Sequence, residues 1–141
     1  MAAPVVVGYD GTDGAKAALE EALSLAGELG AELVVVFVYH FGAAGGEAHD
    51  LVDALRERGQ DVAEEALARA RAAGVQARAE LVNDKPAEGV AGVAKEEGAR
   101  MIVVGSYGER PLRSVLVGST PTRLLHLSER PVLVVRASRH E

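Results

Sequence analysis

The sequence predicts an α/β fold: a five-stranded parallel sheet with helices on both faces. Five short apolar runs alternate with four helical patterns, the order in which β-α units fold into parallel sheets. Most of these runs are near-continuous Val, Ile and Leu rather than apolar-polar alternations, as strands covered on both faces require. Right-handed crossovers then make the sheet doubly wound.

Taken in chain order, the first strand is Val5-Val6-Val7. The first helix follows from Ala15, Ala18, Leu19, Ala22, Leu23, Ala26 and Leu29, whose three-and-four spacing marks one apolar face. Thr12 or Asp13 can cap it and Gly30 can end it. Leu33 to Tyr39 is the second strand. The second helix pattern runs through Leu51, Leu55, Val62, Ala66, Leu67, Ala70 and Ala73 to Gly74. Its interior Gly59 costs about 1 kcal/mol relative to alanine and predicts a kink or fraying there. Val75 to Val82 alternates polar with apolar and reads as an edge strand. Pro86 opens a third helix to about Glu97, stopped by Gly98. Met101 to Val104 is the fourth strand, Pro121 to Ser128 a short fourth helix, and Val132 to Val135 the fifth strand. The Gly- and Ala-rich stretch Phe41 to Glu47 is expected to be the mobile loop.

Composition narrows the function. A length of 141 residues is expected to form a single domain spanning residues 1 to 141, long enough to bury a core without metals or disulfides. No cysteine is present, which removes disulfide frameworks and thiol chemistry. A net charge of −6, two Phe, three Tyr and no Trp offer neither a basic footprint nor stacking platforms, so nucleic acid is not an expected partner. The amino terminus carries no basic n-region and no apolar run is long enough to span a bilayer. A soluble cytoplasmic protein without membrane attachment is the expectation.

The chemistry concentrates after the fourth strand. Gly105-Ser106-Tyr107-Gly108 is followed, nine residues on, by Gly118-Ser119, and ligands of open α/β sheets bind at the carboxyl ends of strands. Glycines let backbone amides approach an anion, and the start of the fourth helix adds free N–H groups and a favourable dipole; the same glycines can simply make turns. If Pro121 takes the first helical position, Thr120 becomes the cap and Ser119 the better phosphate ligand. Asp10, at the end of the first strand, either accepts hydrogen bonds from a ribose or adenine or caps the first helix. Arg110 and Arg113 either neutralise phosphate or are solvated loop residues. The glycines at 8, 11 and 14 do not form a dinucleotide fingerprint, and there is no P-loop. The four histidines show no ligand spacing, and no nucleophile elbow or clustered acid-base set is present, so the sequence offers no assembled catalytic machinery.

Together, Val5-Val6-Val7-Gly8-Tyr9-Asp10-Gly11-Thr12, Ala94-Lys95-Glu96-Glu97-Gly98-Ala99, the Gly105/Gly108/Gly118-Ser119 spacing and Arg130-Pro131-Val132-Leu133-Val134-Val135 resemble the universal stress protein family, in its ATP-binding branch. The resemblance covers essentially the whole chain. It implies a three-layer α/β/α, adenine nucleotide alpha hydrolase-like fold with sheet order 3-2-1-4-5. By resemblance, Asp10 contacts the nucleoside and Val38 flanks adenine. Gly105, Gly108, Gly118 and Ser119, with Arg110 and Thr120 beside them, hold ribose and phosphates, bridged by Mg2+ or Mn2+. It further implies a homodimer through Val132 to Val135, where an exposed apolar edge strand needs covering in any case. Two departures from the family pattern bear on the grip: Thr120-Pro121 loses a hydroxyl and an amide, and Asp84 stands where many members place glycine. The implied function is a nucleotide-dependent regulatory, stress-response module. The alternatives are a slow ATPase or phosphotransferase at the same site, or a dimeric interaction module that needs no nucleotide.

Overall fold

The computed structural model describes residues 2–40, 48–106 and 118–137, so the stretch Phe41 to Glu47 lies outside the described residues. Nine elements alternate: β1 Val5–Gly8, α1 Asp13–Leu29, β2 Leu33–Tyr39, α2 Ala48–Ala72, β3 Ala77–Asn83, α3 Pro86–Glu97, β4 Met101–Gly105, α4 Ser119–Leu127 and β5 Val132–Val135. All strand pairs are parallel and the sheet order is β3-β2-β1-β4-β5. The fold class and strand order expected from the sequence are both present.

Alternate residues of the inner strands point to opposite faces, as strand geometry dictates, and both faces are apolar. Val5, Val7, Leu33, Val35 and Val103 pack under α1 and α2, whereas Val6, Val34, Val36, Ile102 and Val104 pack under α3 and α4. Ala15, Ala18, Ala22 and Ala26 give α1 a face of small side chains that brings its axis close to the sheet. Thr12 caps α1, its hydroxyl oxygen accepting from the Ala15 amide at 3.3 Å. Gly30 and Gly98 end α1 and α3 in the left-handed conformation that glycine adopts without a Cβ clash.

The third strand is an edge, as its alternation predicts, and each of its residues from Ala77 to Val82 is half-buried. It starts at Ala77 rather than Val75, because the amide of Val75 is already donated to the Ala70 carbonyl (3.0 Å) in the turn that closes α2. A residue whose N–H finishes a helix is not free to begin a ladder. Along this edge, Arg78 reaches Glu32 (3.2 Å), Glu80 (2.5 Å) and Glu97, fastening β3 to the segment before β2 and to the end of α3. Exposed pairs of this kind contribute little individually.

The expected kink at Gly59 is not observed: α2 is an unbroken helix from Ala48 to Ala72. Gly59 is buried, and a Cβ there would lie 2.6 Å from Cδ1 of Phe37 and 3.0 Å from Cδ2 of Leu81. The glycine is therefore a close-approach residue that lets α2 settle on β2 and β3. Overpacking costs about 1–3 kcal/mol, which outweighs the gain of about 1 kcal/mol from placing alanine in a helix. Gly59→Ala is expected to destabilise the fold by about 1 kcal/mol or more, whereas Gly92→Ala, whose Cβ would meet nothing within 4 Å, is expected to stabilise it by up to about 1 kcal/mol. Urea denaturation midpoints measure both, and a more stable Gly59→Ala would contradict the packing argument.

Candidate functional site

The chain leaves β1 toward β2 on one side and places β4 and β5 on the other, so β1 and β4 are adjacent strands at the topological switch point. A crevice of about 270 Å³ opens at their carboxyl ends, where this class of sheet binds ligands. Val36 and Val38 of β2 line it, together with Pro86 and Val90 of α3. Gly8 and Val104 contribute the ends of β1 and β4, while Asp10, Thr12, Gly105, Thr120 and Pro121 supply the polar and backbone margin.

Asp10 does not cap α1. Its Oδ1 accepts from the amide of Thr12 at 3.0 Å and from the Thr12 hydroxyl at 2.6 Å, and Thr12 in turn accepts from Ala15. The carboxylate orients the cap instead of being it. Beside it, Tyr9 is buried and donates its hydroxyl to Glu65 Oε1 of α2 at 2.7 Å. Burial first, and then the Glu65 carboxylate, push its ionisation well above that of an ordinary tyrosine.

Gly105 has a packing reason to be glycine. A Cβ there would lie 2.6 Å from the carbonyl oxygen of Gly14 and 3.2 Å from the amide of Ala15, so the first turn of α1 rests on the backbone of β4. Ser106 follows, fully buried, its amide donated to Val135 (2.9 Å) and its carbonyl accepting from Gly118 (2.5 Å). Its Oγ has no hydrogen-bond partner among the described residues. Buried hydroxyls are rarely left so.

The fourth helix begins two residues earlier than expected. Gly118, not Thr120, is the cap, and Pro121 takes the third helical position. The amides of the first turn have no acceptor inside a helix, so proline loses no bond anywhere in that turn. The turn is closed by Thr122, whose amide (3.3 Å) and hydroxyl (2.9 Å) both donate to the Gly118 carbonyl. Two consequences follow for the expected anion grip. The Gly118 amide is committed to Ser106, and the amides of Ser119 and Thr120 at the start of the helix have no capping side chain among the described residues. And Thr120, not spent as a cap, lines the crevice, whereas Ser119 is exposed beside it.

The structure thus brings Asp10, Val38, Gly105 and Thr120 to one crevice, whereas Gly118 and Ser119, which precede Thr120 in the chain, are not among its lining residues. Gly108, Arg110 and Arg113 lie outside the described residues. Asp84 is not among the lining residues; its Oδ1 accepts from the neighbouring Lys85 amide at 2.7 Å. Sequence reasoning did not single out Thr12, Pro86, Val90 or Ser106 for the site. Ser106 had a signal, a hydroxyl directly after the strand-ending glycine, while Val90 looked like any apolar position on α3. Among the described residues, no group of three or more His, Asp or Glu side chains could hold a metal ion.

The universal stress protein family model matches residues 1–136. The chain belongs to that family. Universal stress protein YxiE of Bacillus subtilis (strain 168) is 33% identical over 144 residues, covering 94% of this chain and 97% of the relative. Among solved structures, a universal stress protein in complex with cAMP is 29% identical, with a TM-score of 0.78 over 96% of this chain and 97% of the other. A universal stress protein family member from Burkholderia pseudomallei is 34% identical, with a TM-score of 0.75 over 94% of this chain and 95% of the other.

Two of the helices whose first turns line the crevice, α3 and α4, are braced by Arg123 of α4, which donates to both carboxylate oxygens of Glu88 of α3 at 3.0 and 3.2 Å. The guanidinium holds the Glu88 carboxyl below its ordinary value of 4.5. A carboxyl depressed in the fold contributes stability that is present above its unfolded value and lost as pH falls through the folded one. The stability difference between the wild type and Glu88→Gln is therefore expected to be constant near neutrality and to shrink as pH falls below 4.5. Urea unfolding at a series of pH values measures it; a difference that persists unchanged in acid would rule the pair out as its source.

Proposed function

We propose that this universal stress protein binds an adenine nucleotide in the crevice, ATP with Mg2+ or Mn2+, and works as a nucleotide-dependent regulatory module built as one domain. One observation carries the reading: an apolar slot between β2 and α3 opens onto the start of α4, which has no capping side chain among the described residues, and the buried hydroxyl of Ser106, next to the lining residue Gly105, has no partner among them. A slot of valines and a proline suits the faces of a base. An uncapped helix start suits an anion, because unpaired amides and the helix dipole both favour negative charge. The cAMP complex of a similar universal stress protein supports the same ligand class.

In this reading Val38 flanks the base. Asp10, whose Oδ1 is occupied by Thr12, offers Oδ2 to the ribose hydroxyls. The amides of Ser119 and Thr120 and the side chains of Ser119, Thr120 and Arg110 take the phosphates, with Gly105, Gly108 and Gly118 keeping the approach clear. With one carboxylate among the described lining residues, a divalent cation would be held mainly by phosphate oxygens and water, the usual habit of Mg2+. The reading is of binding and not of turnover.

The same reading makes β5 the contact between two copies. It is an edge strand whose Leu133 is 36% exposed, and Leu125 (62%) and Leu127 (39%) of the adjoining α4 are exposed as well. An apolar edge left open invites pairing with another chain.

Isothermal titration with ATP and Mg2+ is expected to show saturable binding, weakened about tenfold or more by Gly118→Glu, which places a carboxylate at the helix start. No binding by the wild type would refute the assignment. Sustained phosphate release, absent in Gly118→Glu, would instead show the site to be an enzyme's. Sedimentation equilibrium is expected to give dimers that Leu133→Lys dissociates; wild-type monomers at micromolar concentration would remove β5 from the reading.

A further inference from the structure

Helix α3 meets the crevice through Pro86 and Val90, four residues apart and so on one face of the helix. Gly89 lies beside them and is buried. A Cβ on Gly89 would sit 2.7 Å from Cγ2 and 3.0 Å from Cγ1 of Val38, the residue that lines the slot from β2, while Asp84 would be at an ordinary 3.5 Å. The close approach is therefore specific to Val38. Glycine is a poor helix former, and on the same helix Gly92 faces open space.

We propose that Gly89 is a positioning residue that sets the width of the base slot by letting α3 close directly onto Val38. The proposal rests on the adenine-nucleotide reading of the crevice. Valine is stiff at χ1, and both of its methyl groups press against the glycine. Any side chain at 89 thus has two outlets: α3 lifts away from β2, carrying Pro86 and Val90 outward, or Val38 rotates and turns a methyl into the slot. Either outcome changes the gap between Val38 and Val90 that a flat ring would fill. Close packing makes an interior intolerant of a misplaced methylene, so a small displacement at Gly89 reaches the ligand without Gly89 touching it.

The experiment titrates the full chain with AMP in five forms: wild type, Gly89→Ala, Gly92→Ala, Val38→Ala and the Gly89→Ala/Val38→Ala double variant. Gly89→Ala is expected to weaken AMP about tenfold, the size of coupling common between touching residues, whereas Gly92→Ala binds as the wild type does. The double variant is expected to bind as Val38→Ala binds, because truncating Val38 removes the atoms that the new Cβ would strike. Should Gly89→Ala fail to fold, the comparison of Val38→Ala with the double variant still decides, and a tenfold difference between them overturns the proposal. Wild-type affinity in Gly89→Ala overturns it as well, with the nucleotide reading left standing. A wild type that does not bind AMP overturns both.

Discussion

The contact between the backbone of Gly105 and the first turn of α1 is the constraint on which the crevice end of the molecule depends. No side chain separates the two: Gly14 and Ala15 present their peptide groups to the glycine, and the room left there is less than one methyl group. Because β4 pairs with β1, pinning the start of α1 to the end of β4 also fixes the short link between β1 and α1. That link carries Tyr9, Asp10 and Thr12. The polar margin of the crevice is thus positioned by a contact in which none of its side chains takes part.

At the crevice, the starts of α1 and α4 differ in how their amides are used. The start of α1 stands at the switch point, where its amides would be available to a phosphate. Thr12, steadied by Asp10, already accepts from the Ala15 amide. The start of α4 has no such arrangement, since its cap is a glycine and its third position a proline. Two helices of similar orientation thus differ in what they offer a ligand, and the difference comes from a threonine in one place and a glycine in the other.

Most of the fold was legible because its signals are local. Thr12 before an apolar face, Pro86 at a helix start and Gly30 and Gly98 after helix ends act within one turn of their own position, and continuous valine runs report burial on both faces. The site was legible as a place, through the glycines after β4 and Asp10 after β1, but its register was not. Proline's preference for the first helical position points to a start at Pro121; the whole first turn tolerates it, and the helix begins at Ser119, after a Gly118 whose amide donates to Ser106. Val75 likewise looks like part of β3 from its side chain, whereas its amide is claimed by the end of α2.

The glycines make the general point. Gly59, Gly89 and Gly105 are each glycine because a Cβ would strike an atom of another element: Phe37 of β2, Val38 of β2 and Gly14 of α1. Local propensity assigns each a different meaning, a kink at 59, nothing at 89 and a phosphate turn at 105, and in no case names the partner. A glycine's partner is defined by distance in space, which a single sequence does not carry. Seen this way, the signature after β4 has two halves. Gly105 belongs to the packing of α1 on the sheet, and Gly118 to the start of α4, where a capping side chain is missing.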